Sequence, residues 1–405
     1  MPFARCPMRL WGKKMPEKYD ILIHKGLVVT GSGVRKADVG IKGEKIVAVK
    51  PGLLEKEARR AINASGKYIM PGVIDVHVHP VYEDDLGGLS YTAAFGGTTT
   101  LIHFAYAKLK WMTDDYHLTA AMDLISNGGG LAMVHAENGL VTDYLEDRSL
   151  KRGEDQKKVF LKTRPDLLEA EAIFRALTIA SITRCPLYIV HLSTEKGVIP
   201  IQRAKEEGQR VYVETCPQYL TMTDAKLQKL GPLAKIGPPL RSEKDRLALW
   251  KAIQRGLIDV VASDHAPKAK KLDDPFFEAP YGSPQSETML TVTYDEGVNK
   301  KRIKLNKLVR LFSENPAKIF GLYPKKGTIQ NGSDADLVIF DPKHAYTIKH
   351  ENQHSGAPYT LYEGRKCLGK PVLTMQRGKI LVEDGEMKGR PGEGKFLPTK
   401  TAKGR

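Results

Sequence analysis

The chain has 405 residues, 41% of them hydrophobic and 27% charged, with a formal net charge of +16. That length buries a sizeable core and leaves room for two or three domains, and the composition excludes a low-complexity or disordered chain. Four widely spaced cysteines exclude a disulfide framework, and no apolar run is long enough for a secretory or membrane segment, so the cytoplasm is the expected location.

The first 18 residues begin MPFARCPMRLWGKK, with four positive charges and no acid, and are expected to form a disordered extension. Residues 19–70 carry alternating, turn-rich runs such as DILIHKGLVVTGSG and VGIKGEKIVAV. Residues 325–390 have similar patterning in DADLVIFDP and PVLTMQRGKILVEDGE. Neither stretch is long enough for a sandwich of its own. The economical arrangement is one small β domain built from both, flanking a central domain at 71–324, with a flexible tail at 391–405.

The central domain opens with Gly72-Val73-Ile74-Asp75-Val76, a buried-strand pattern that runs into His77 and His79 and is stopped by Pro80. Residues two apart on a strand point the same way, so these imidazoles stand side by side at the strand's end. Three later segments repeat the pattern. Leu131–Val134 leads into His135, Leu187–Val190 into His191, and Ile258–Ser263 into Asp264. In a parallel β/α barrel the C-terminal strand ends share one face, where such barrels place their chemistry. Four histidines and one aspartate delivered there suit Zn²⁺ or another borderline divalent ion.

The segments PGVIDVHVHP, VHAENG, YIVHLS, ETCPQYL, GPPLR, ASDHAP and ENPAKIFGLYPKKGTI resemble, in order, the amidohydrolase superfamily and within it the dihydropyrimidinase and hydantoinase branch. The resemblance implies an α/β fold, a TIM-type barrel plus the small β domain. It also implies a hydrolase that opens the C–N bond of cyclic amides with a metal-bound hydroxide. By motif, His77, His79, His135, His191 and Asp264 would be the metal ligands, for one or two Zn²⁺ ions, and Asp264 would also shuttle the proton. Tyr106 and Asn315 would contact substrate, and the chain would form a homo-oligomer, a tetramer in such relatives. Dihydroorotases carry an arginine two residues after the second histidine; Val81 stands there, which argues against that branch. An allantoinase-like ureide hydrolase shares the ligand set. A non-catalytic, dihydropyrimidinase-like oligomeric scaffold or an inactive deletion product is the other alternative, although a scaffold has no need of the histidines.

The chain also departs from the family. The strand Thr98–Phe104 passes through nine residues, Phe104 to Met112, into the cap Thr113-Asp114-Asp115 of the next helix. A parallel crossover needs at least about ten residues for its helix and loops. Barrel strands begin near Val73, Thr98, Leu131, Leu187, Val211 and Ile258, six where a closed barrel has eight. The third and fourth strands are expected to be missing, and with them the carboxylated lysine that bridges two metals in this branch. Lys108 and Lys110, near the join, read as surface residues, and Gly237 replaces the serine many relatives carry before Pro-Pro-Leu-Arg. His103, His265 and Cys216 read as structural, with a supporting role beside the site open to the two histidines. Lysines and arginines are spread along the chain, with short runs at 268–271 and 300–304, and no nucleic-acid-binding motif appears. The expected partner is a small cyclic amide, with no specific nucleic acid and no membrane.

Overall fold

The computed structural model describes residues 17–104 and 112–399. Six parallel strands form the central domain: Val73–Val78, Thr98–His103, Ala132–Val134, Leu187–Ile189, Val211–Thr215 and Val260–Val261. The last four pair in chain order in one sheet, and the first two pair with each other. A parallel bridge from Val78 to His265 joins the two sets, so the arc runs from Thr98–His103 round to Ala132–Val134. Among the described residues no ladder joins those two end strands, and residues 105–111 lie outside them.

Two apolar layers explain why the strands hold this curve. Val73, Leu187, Ile189, Val211, Val213 and Val261 pack outward with the surrounding helices. Ile74, Val76, Tyr188, Val190, Val260 and Ala262 pack together on the opposite face and fill the lumen, as the two-residue period of a strand dictates. Gly72 lets the first two strands close. A Cβ there would sit 2.1 Å from Thr99 Oγ1.

Both ends of the chain supply the β domain. In its seven-stranded sheet Tyr68–Pro71 lies between Leu27–Thr30 and Leu337–Thr347, with Leu337 opposite Pro71. A four-stranded sheet of Tyr19–His24, Asp38–Lys42, Lys45–Lys50 and Ala58–Asn63 packs on it, burying Ile23, Val39 and Ile46 against Ile69, Leu337 and Met375. No helix among the described residues is long and apolar enough to cross a membrane.

Candidate metal centre

The strand ends place their polar side chains as strand geometry requires. His77 lies near the end of the first strand and His79 just after it, with their Nε2 atoms 3.2 Å apart. Asp264 Oδ1 lies 3.4 Å from His77 Nε2 and 3.2 Å from His79 Nε2. Close by, His135 Nδ1 and His191 Nε2 are 2.9 Å apart, and the His77 and His191 rings stack with centroids separated by 5.5 Å. His191 (φ 37°) and Asp264 (φ 50°) both adopt left-handed backbone. That conformation costs free energy for non-glycine residues and persists where the surroundings enforce it, commonly at functional sites.

The electrostatics favour positive charge at this point. The wholly buried Glu214 sets the orientation of His77: its Oε1 lies 2.8 Å from Nδ1 and accepts the backbone N–H of His191, while Oε2 accepts the Tyr188 hydroxyl. With Nδ1–H donating to Glu214, His77 points Nε2 toward Asp264 and His79, where a bound cation would displace the Nε2 proton. Burial works against charge on His77, but Glu214 and then Asp264 raise its pKa to about 9. Burial likewise works to raise the Asp264 pKa; the His77 charge and the hydrogen bond from His79 outweigh it and hold the carboxyl at about 2. His191 is held well below the ordinary imidazole value by burial and the neighbouring His135, which keeps a lone pair available.

Two imidazole nitrogens and a carboxylate oxygen converge within 4.8 Å of one another. Three such donor atoms so close can share one cation, and His77, His79 and Asp264 fit a divalent ion of the kind imidazole and carboxylate prefer. The His135–His191 pair extends this site on one side, and the His135 side chain is 46% exposed.

Other expected site residues fall differently. Tyr106, Lys108 and Lys110 lie outside the described residues. Asn315 is corrected. Its amide donates to the carbonyl of Asp259, at the opposite end of its strand from Asp264, so it does not line the metal pocket. His265 is fully buried, with Nε2 at 2.9 Å from Asp84 and Nδ1 accepting the N–H groups of Gln285 and Ser286. It ties the loop after Asp264 to that after His79. Cys216 is buried and its thiol pushed up by burial, so it is not a nucleophile. His103 is exposed.

The reading of single strands missed Glu214, and with it a second polar group. Glu137 Oε2 lies 3.1 Å from His135 Nε2, and its Oε1 lies 3.7 Å from Arg241, which also reaches Glu169 and Ser193. Gly237 borders the same pocket: a Cβ there would stand 3.2 Å from the Tyr281 ring and 3.9 Å from Glu137. The ring therefore occupies space that a serine side chain would need.

A parallel α/β barrel with histidines and an aspartate at its strand ends defines the class of metal-dependent barrel hydrolases. Residues 107–381 match the family model described as "Amidohydrolase family". The chain is 35% identical to a D-hydantoinase of Ralstonia pickettii over 453 aligned positions, covering 93% of this chain and 98% of that protein. It is 31% identical to an L-hydantoinase of Paenarthrobacter aurescens, covering 94% and 98%. The dihydropyrimidinase structure from Brevibacillus agri superposes with a TM-score of 0.89 at 32% identity, covering 94% of this chain and 98% of that one. The chain belongs to the amidohydrolase family. The 453 aligned positions exceed its 405 residues, so this relative carries segments with no counterpart here.

Proposed function

We propose that this protein opens the C–N bond of cyclic amides of the hydantoin or dihydropyrimidine type, using one divalent ion, zinc by ligand preference, held by His77, His79 and Asp264. The convergence of those three side chains is the observation that carries the reading. A bound divalent ion lowers the pKa of water toward neutrality and polarises a carbonyl. Asp264, held at about 2, stays anionic at neutral pH, so its carboxylate can take a proton from the attacking water and return it to the leaving nitrogen. Glu214 fixes the His77 ring, and Phe104, stacked on His77 at 4.5 Å between centroids, covers it.

One ion rather than two is favoured by the break in the strand arc. We infer that the segments absent relative to the Ralstonia pickettii enzyme include the third and fourth barrel strands, which would fall between His103 and the cap at Asp114. His135 and His191 are then half of a second position with no bridging group among the described residues. A homo-oligomer is supported by the helix Asp166–Ile182, whose Leu167, Phe174 and Ile182 are 59%, 57% and 74% exposed at spacings of seven and eight, on one face. The three described cysteines are free and buried, which suits a cytoplasmic location.

The test is turnover of hydantoin and dihydrouracil by purified, zinc-loaded protein. Ring opening that disappears on chelation and returns with zinc supports the proposal. Zinc-loaded, folded protein inactive on both substrates refutes it.

A further inference from the structure

A second cleft, of about 730 Å³, lies away from the metal pocket, between the helix Asp224–Leu230, the turn Asp295–Asn299 and the loop 361–366. Six cations line it: Lys226, Lys229, Arg246, Lys300, Arg365 and Lys366. None of the candidate metal ligands or their neighbours Glu137 and Glu214 is among its walls.

The charges within it do not cancel. Glu296 lies at the base, buried, with Lys300 at 2.6 Å, Arg246 at 3.0 Å, and Arg302 and Arg365 each at 3.2 Å. Arg246 also pairs with Glu243, and Arg365 with Asp295 at 3.6 Å, so four guanidinium or ammonium groups share three carboxylates. Glu363, the remaining acid on the wall, accepts the backbone N–H of His350. Lys226, Lys229 and Lys366 have no ion-pair partner among the described residues, and the six lining cations exceed the four lining acids by two. Lys226 is partly buried, and that burial, with Lys229 and Arg365 nearby, pulls its pKa below the ordinary lysine value. The Tyr362 hydroxyl, 3.0 Å from Thr221 Oγ1, adds a neutral hydrogen-bonding group to the same wall.

Like charges gathered on the walls of one cleft repel, and an anion seated among them relieves that repulsion. Phosphate oxygens accept several charge-assisted hydrogen bonds at once, which suits them to this mixed guanidinium and ammonium lining. We propose that this cleft binds a small phosphate-bearing anion, at a site separate from the metal pocket. The proposal is independent of the hydrolase reading.

Calorimetric titration of the metal-loaded protein with pyrophosphate, at ionic strength held constant with sodium chloride, tests it. The wild-type protein should show a saturable site that weakens at least tenfold in the Lys226→Glu, Lys366→Glu double variant, with metal content, thermal midpoint and ring-opening rate unchanged. A milder Lys226→Gln variant should lie between the two. Binding that survives undiminished in the folded double variant, or no binding beyond that of chloride, would overturn the assignment. Binding of a short single-stranded oligonucleotide more tightly than pyrophosphate, with a steep salt dependence, would overturn it in favour of an extended polyanion surface.

Discussion

Glu214 and His77 lie 2.8 Å apart with neither open to solvent, and this contact aims the imidazole at Asp264. The same carboxylate holds the backbone N–H of His191, so one buried acid positions groups from two strand ends. Partners of this kind around metal-binding histidines typically contribute tenfold to a hundredfold in affinity. Glu214→Gln keeps the shape and loses the charge. It should weaken zinc binding by about tenfold to a hundredfold, as read by competition with a coloured chelator. Unchanged affinity in the folded variant would contradict the positioning role.

Asp264→Asn addresses the proton shuttle. The amide cannot accept the proton from water, so ring opening should fall by about a hundredfold or more while His77 and His79 retain zinc. Steady-state rates measured beside metal content separate the two effects. Wild-type turnover in the variant would rule Asp264 out as the base.

Two buried lysines give the stability a pH dependence. Burial lowers Lys270 to about 7 and Lys235 to about 8, and both ammonium groups sit on backbone carbonyls of the loop after Asp264 or the Lys235 turn. In the unfolded chain both return to the ordinary value of about 10.4. Between those limits the unfolded state binds more protons than the native one, so stability rises with pH across that window. Below about pH 7 both lysines are charged in both states and the penalty is complete. Urea midpoints should therefore climb from pH 7 toward pH 10, and Lys270→Met should flatten the climb. An equally steep slope in that variant would show that Lys270 does not carry it.

Phe174→Asp tests the exposed helix face. A charge placed among Leu167, Phe174 and Ile182 should shift the protein to a smaller species in light scattering after size exclusion, with the fold retained by circular dichroism. No change in mass would remove this face from the interface.

The strand ends were legible because a short apolar run stopping at a histidine or aspartate carries its own geometry. His77, His79, His135, His191 and Asp264 were singled out this way, and the structure gathers them at one end of the arc. Glu214 was not, because a glutamate near the end of Val-Tyr-Val-Glu-Thr reads as the polar side of a strand; its burial depends on Tyr188 and His77 from other strands. Asn315 misled for the opposite reason. Its place in a family-like segment assigns it to substrate, whereas the helical turns from Leu305 onward continue through Glu314 and carry Asn315 onto the Asp259 carbonyl. The six strand segments followed from chain-local patterns, but the Val78–His265 bridge joining the two sheets required the assembled molecule.

The central claim is a single ion held by His77, His79 and Asp264. Metal content per chain, measured by elemental analysis on soluble, size-checked protein after dialysis against a weak chelator, tests it most directly. One zinc per chain is expected, lost in His77→Ala and kept in His135→Ala. Two tightly held ions would mean that the His135–His191 pair carries a complete second position, and none would mean that the converging side chains do not form a metal site.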